Sequence, residues 1–199
     1  IIGVASSLLT QYVFLKNNIL DKINNRSSHT TLATRSGGVS IFLSLLIISF
    51  YFYLNDLDIF EYSLIIPLSL LLVVGLYDDV YKMDFKLKFI FQIIAAKIMI
   101  DNGFIIDNLH GVLWINEMNR VLAQLFTIFI IVAIINSINF IDGIDGLGLS
   151  VVLIFIGFFE FFSAELTPFI NLSLLIFTSS IGLFYFNFKK NKKIFLGDS

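Results

Sequence analysis

Between residues 136 and 148 the chain reads N-S-I-N-F-I-D-G-I-D-G-L-G, set between two long apolar runs. Asn136, Asn139, Asp142 and Asp145 recur at every third position. A helical or 3₁₀ continuation of the preceding segment therefore predicts a single polar, anionic strip. A second acidic group, Asp78-Asp79, closes another apolar run and is followed by Lys82, Lys86 and Lys88. Adjacent carboxylates repel each other unless a cation or basic groups neutralise them, so this pair suits hard-ion binding, a base, or phosphate handling by the neighbouring lysines. A third acidic position, Asp198, stands in F-L-G-D-S. Together these groups describe an oxygen-rich pocket suited to Mg²⁺, which accepts one or two carboxylates and completes its shell with phosphate and water. Arg26, His29 and Arg35 lie in a Ser/Thr/Gly-rich stretch ending at Gly37-Gly38. There Arg can grip phosphate as a fork and glycine permits close backbone approach.

Each group alone has a simpler reading. Asp78-Asp79 can be a solvated helix-end turn, and D-G-I-D-G-L-G a flexible one. The latter lacks the D-x-D-x-D-G spacing of an EF-hand loop and the Ala-Arg that follows D-G in CDP-alcohol phosphotransferases. The arginines can be topology anchors, and the lysines of 189–193 a topology signal and anionic-lipid anchor. Lys97 falls mid-helix, where it can snorkel or pair, and His110 reads as an ordinary external residue. Two acidic groups on one face are harder to dismiss.

The elements that must position these residues are membrane spans. Of 199 residues, 57% are hydrophobic and only 14% charged, with 23 Phe, more apolar surface than a soluble domain of this length could cover. There is no Cys, hence no disulfide, thiol nucleophile or cysteine metal site, and His29 and His110 are too far apart in sequence to suggest a histidine cluster. Apolar runs at about 1–15, 38–54, 62–77, 87–101, 120–137, 147–163 and 168–187 predict an all-α polytopic membrane protein with about seven transmembrane helices. The first run lacks the basic start of a signal peptide. Both ends read as cut, since the chain opens on Ile1-Ile2 and stops directly after a basic loop. The expectation is one transmembrane domain over 1–199, clipped at the N-terminus and truncated at the C-terminus.

Lysine and arginine sort the loops. The odd-numbered connections carry Lys16, Lys22, Arg26, Arg35, Lys82, Lys86, Lys88, Lys189, Lys190, Lys192 and Lys193. The even-numbered ones, near 55–61, 102–119 and 163–167, carry none, although Arg120 borders one of them. The positive-inside rule makes the odd loops cytoplasmic, which puts every conspicuous polar cluster on that side. The external loop G-F-I-I-D-N-L-H-G-V-L-W-I-N alternates enough to predict a small hairpin, with Trp114 suited to the membrane interface.

Taken in order, R-S-S-H-x5-R-S-G-G (26–38), G-L-Y-D-D (75–79) with K-L-K-x3-Q (86–92), N-x2-N-F-I-D-G-I-D-G-L (136–147) and F-L-G-D-S (195–199) resemble the polyprenyl-phosphate N-acetylhexosamine-1-phosphate transferases. This is the superfamily of bacterial WecA, TagO and MraY and of the eukaryotic dolichol-phosphate GlcNAc-1-phosphate transferase. The resemblance covers the whole chain and implies a ten- or eleven-helix fold, whose later spans and histidine-containing loop lie outside this sequence. It implies that Asp78 and Asp79 orient or deprotonate the attacking lipid phosphate and that Asp198 binds Mg²⁺, with Mn²⁺ as the alternative ion. Asn139, Asp142 and Asp145 would frame the nucleotide and pyrophosphate, with Gly143 and Ile144 on the uracil side. His29, Arg35 and Lys86 match the family's further substrate-binding positions. Leu32-Ala33 and Ile23 depart from the family pattern, which has Pro-Thr before the Arg and Pro before Asn-Arg. Arg35 before Ser-Gly-Gly and Ser199 after Gly-Asp are similar to the WecA, TagO and WbpL branch, whereas MraY has Thr-Met-Gly-Gly and Gly-Asp-Thr.

The resemblance implies transfer of an N-acetylhexosamine-1-phosphate, GlcNAc-1-phosphate or a related amino sugar, from a UDP-sugar to undecaprenyl phosphate. UMP would be released and a lipid-linked cell-envelope glycan begun, be it O-antigen, teichoic acid or another. The setting is the bacterial cytoplasmic membrane with the site facing the cytoplasm, no nucleic acid as partner, and a homodimer left open. The rival reading is a secondary transporter or ion channel, which predicts carboxylates near the bilayer midplane on broken helices. Here nearly all of them fall at predicted cytoplasmic helix ends.

Overall fold

The computed structural model describes residues 1–20, 33–57, 61–142, 146–163, 167, 169–188 and 193–197. Among these are seven α-helices: α1 (Ile2–Lys16), α2 (Gly37–Leu54), α3 (Ile65–Tyr81), α4 (Phe85–Asp101), α5 (Arg120–Ile141), α6 (Leu147–Phe162) and α7 (Ile170–Asn187). Two short strands, β1 (Ala33–Thr34) and β2 (Lys193–Ile194), pair in parallel. Gly37–Leu54, Tyr62–Tyr81, Arg120–Ile141 and Ile170–Asn187 are long and apolar enough to cross a bilayer, and Leu147–Phe162 is a shorter apolar helix. The chain is an all-α polytopic membrane protein. Large apolar side chains such as Phe155, Phe158 and Phe161 stand exposed on α6, as a lipid-facing surface requires.

The chain divides into two compact units, Ile1–Glu61 with Asn139–Ser199, and Tyr62–Ile138. In the first, small residues let α1 approach α2 and α7 closely. The Ser6 and Ser44 hydroxyls lie 2.6 Å apart, and Ser7 Oγ donates to Ser40 Oγ at 3.3 Å. A Cβ on Gly3 would come within 3.0 Å of the Ser179 Cα. Without a hydrophobic driving force between helices in lipid, such close packing with hydroxyl bonding is what holds helices together.

In the second unit α3 turns back into α4 through residues 82–84, and the two helices pack on each other. The predicted hairpin between α4 and α5 is present. Asn108 and Glu117 form an antiparallel bridge, and Leu109 N–H donates to the Asn116 carbonyl at 2.9 Å. Its tip is a 3₁₀ turn at Val112–Trp114, where the Trp114 side chain projects outward, 94% exposed. At the root of the hairpin, Thr127 Oγ1 on α5 accepts the Ile106 N–H at 2.9 Å.

Candidate active site

In the second unit the acidic pair sits in the last turn of α3, where helix carbonyls already concentrate negative potential. Asp78 answers this in two ways. Its Oδ1 accepts the Met83 N–H at 2.7 Å, beyond the helix end, and its Oδ2 pairs with Lys88 Nζ at 2.8 Å. The backbone carbonyl of Asp78 takes the Lys82 N–H at 2.9 Å, and Lys82 adopts φ +55°, which reverses the chain toward α4. Asp79 is half-buried beside it. Of the three lysines that follow, Lys88 is the one this turn brings onto Asp78, while Lys86 is exposed. Lys97 pairs with Asp101 one turn further along α4.

Asn136 belongs to the same unit. Its amide donates to Gln92 Oε1 at 2.8 Å and to the Val132 carbonyl at 2.8 Å, joining α5 to a Gln92 that is 2% exposed. Of the predicted common strip, Asn136 and Asn139 lie on α5, and Asp145 lies outside the described residues. A spacing of three drifts around a 3.6-residue helix, and α5 ends at Ile141, so Asp142 lies past the helix. Asn139, in the last turn, has its Nδ2 enclosed with no hydrogen-bond partner, an atom that calls for an acceptor.

In the first unit, Asp142 closes a cradle around residues 193–197. Its two oxygens accept the N–H groups of Leu196 at 3.3 Å and Gly197 at 3.0 Å, and the side chain is nearly buried. From the other side, the first N–H groups of α2 donate to the same segment: Gly37 to the Phe195 carbonyl at 2.9 Å and Gly38 to the Leu196 carbonyl at 2.8 Å. These donors have no partner within their own helix, so the segment satisfies them. Glycine is required at 37, because a Cβ there would stand 2.6 Å from the Phe195 carbonyl oxygen. Phe195 N–H donates to the Thr34 carbonyl at 2.9 Å, extending the β1–β2 ladder. Asn187, the last residue of α7, donates to the Ile194 carbonyl at 2.8 Å and accepts the Gly146 N–H at 2.6 Å.

The cradle thus brings together three of the sequence motifs: the end of the first loop, the loop after α5, and F-L-G. Arg35 is half-buried within it, between Thr34 and Ser36. His29, Gly143, Ile144, Asp145 and Asp198 lie outside the described residues. Sequence reasoning missed Asn187, Thr34 and Ser36 as parts of this arrangement. The available signal was a polar residue, Asn187, at the end of an apolar run, which must find partners once buried.

Residues 61–199 match the model of glycosyl transferase family 4. Over 197 residues, covering 96% of this chain, the sequence is 28% identical to a probable undecaprenyl-phosphate N-acetylglucosaminyl 1-phosphate transferase of Bacillus subtilis (strain 168). The chain spans 54% of that relative's length. The family match takes in α3 to α7, the Asp78 turn and the segment held by Asp142, and on that extent the chain belongs to glycosyl transferase family 4.

Proposed function

We propose that the protein containing this chain transfers an N-acetylhexosamine-1-phosphate, GlcNAc-1-phosphate or a close relative, from a UDP-sugar to undecaprenyl phosphate at the cytoplasmic face of the bacterial membrane. The observation that carries this reading is the family match over residues 61–199, supported by the likeness to the Bacillus subtilis protein. In the proposed reaction an oxygen of the lipid phosphate attacks the β-phosphorus of the donor. A new P–O bond forms, the bond from that phosphorus to the bridging oxygen breaks, and UMP leaves with the bridging oxygen. The product is a lipid diphospho-sugar.

Bringing two anions together requires positive charge at the site. The donor set fits a hard divalent ion, since the candidate ligands offer only carboxylate and amide oxygens. In the proposal Asp198 holds Mg²⁺, or Mn²⁺ in its place, and the residue before it, Gly197, is fixed through Asp142. When bound, the ion supplies charge neutralisation at the diphosphate. Asp79 faces the lipid phosphate as its base or positioning group, while Asp78 is steadied by Lys88. Arg35, His29 and Lys86 contribute to phosphate binding, and Asn139, Asp142, Gly143, Ile144 and Asp145 form the nucleotide side.

The test is UMP release from a panel of UDP-sugars by the full-length protein with undecaprenyl phosphate. Mg²⁺-dependent release with a UDP-N-acetyl amino sugar is expected, and Asp198→Asn should weaken the dependence on Mg²⁺. No release with any donor, with collapse of an ion gradient in proteoliposomes instead, would sink the transferase reading in favour of a transporter.

A further inference from the structure

We infer that Asn187 is a positioning residue that holds Gly146, the last residue of the D-G-I-D-G segment, and Ile194, directly before the F-L-G-D segment, at a fixed separation. This rests on the proposed transferase reading, in which both segments carry ligands for donor and cation. Asn187 is 1% exposed at the end of α7, and its two amide heteroatoms are used in opposite senses. Oδ1 accepts from Gly146 N–H at 2.6 Å, and Nδ2 donates to the Ile194 carbonyl at 2.8 Å. One partner can only donate and the other can only accept, so the task needs a donor and an acceptor on one short, neutral, planar group. Aspartate offers the acceptor alone, and leucine neither.

The two backbone groups are also where each segment meets a regular element. Gly146 adopts φ +72° and starts α6, its carbonyl taking the Ser150 N–H at 2.8 Å. Ile194 is the last residue of β2, directly before the stretch that Gly37, Gly38 and Asp142 hold. A shift at Asn187 therefore passes to Gly146 on one side and to residues 195–197 on the other. Residues that orient metal ligands without touching the metal typically change its affinity by about 10- to 100-fold when removed.

The experiment uses the full-length protein with Asn187→Ala and Asn187→Asp. Three quantities are read: the Mg²⁺ midpoint for UMP release, the KM for the UDP-sugar against kcat, and Mn²⁺ affinity by electron paramagnetic resonance without substrate. Asn187→Asp keeps the acceptor for the Gly146 N–H and sets a carboxylate oxygen against the Ile194 carbonyl, whereas Asn187→Ala removes both bonds without burying a charge, so the two variants perturb the site by different routes and one can be read where the other does not fold. The expected result is a rise of about tenfold in the Mg²⁺ midpoint and in the Mn²⁺ dissociation constant for Asn187→Asp, with a larger rise for alanine. Tryptic cleavage at Lys193 should accelerate in both. If the wild type releases UMP while Asn187→Asp keeps wild-type metal affinity and midpoint, the positioning role is overturned. If the wild type itself releases no UMP, it is the transferase reading that fails, and the Mn²⁺ titration still reads the effect of Asn187 on the site.

Discussion

A carboxylate in the last turn of a helix meets the negative end of the backbone dipole, so Asp78 depends on its partners more than a loop aspartate does. Lys88 and Asp78 are each largely covered, with side chains 14% and 18% exposed. Removing one member of a covered pair leaves the other charged and poorly solvated, a loss of about 1–3 kcal/mol. Lys88→Met should thus lower stability by that amount in detergent unfolding, whereas Lys86→Met, at an exposed position, should change it by less than about 0.5 kcal/mol. Equal effects would mean that Lys88 is not the partner that matters. The sequence named the acidic pair and three nearby lysines but could not choose among them. The choice is made by the left-handed Lys82, which sets where α4 begins and hence which lysine returns to Asp78.

At the scale of elements, the helices were legible because lipid demands long apolar runs, and the predicted run at 38–54 differs from the observed Gly37–Leu54 by one residue. The cradle was not legible. Its bonds run from backbone N–H groups to Asp142 and to backbone carbonyls, so a sequence shows at most one side of each. Gly37 is the exception in principle, since its lack of a side chain is what the close approach requires. Gly37→Ala should push residues 195–196 away from α2, because the new Cβ would lie 2.6 Å from the Phe195 oxygen and 2.8 Å from the Leu196 Cα, both backbone atoms. The expected outcome is a loss of about 1–3 kcal/mol, as for overpacking, together with loss of UMP release. Gly157→Ala, on α6 with nothing within 4 Å, should be neutral or stabilise by up to about 1 kcal/mol. Were Gly37→Ala as benign as Gly157→Ala, the contact between α2 and the F-L-G segment would not exist in solution.

At the scale of the molecule, charge distribution and packing bear on orientation independently. Eleven of the 13 Lys and Arg fall in the odd-numbered connections or in the helix turns that border them, leaving Lys97 in the body of α4 and Arg120 at the start of α5. Lys97 is neutralised by Asp101, and a pair within one helix carries little topological weight. Within the first unit, β1 and β2 come from connections separated by more than 150 residues, yet they pair strand to strand. Strands that hydrogen-bond must lie on the same side of the bilayer, so the first loop and the segment after α7 share a face without any appeal to charge. The hairpin between α4 and α5 stands one helix away from the Asp78 turn, so if α4 crosses the membrane, as the apolar run at 87–101 predicts, the two fall on opposite faces. This chain contains no cysteine, so single cysteines introduced into it, in a full-length protein with any other cysteine replaced by serine, report on this directly. A membrane-impermeant maleimide should label His110→Cys in intact cells and leave Lys86→Cys unlabelled, with the pattern reversed in inside-out vesicles. Labelling of both from the outside would mean that α4 does not cross the membrane. Labelling of Lys86→Cys alone in intact cells would invert the orientation, placing the acidic residues away from any cytoplasmic nucleotide donor.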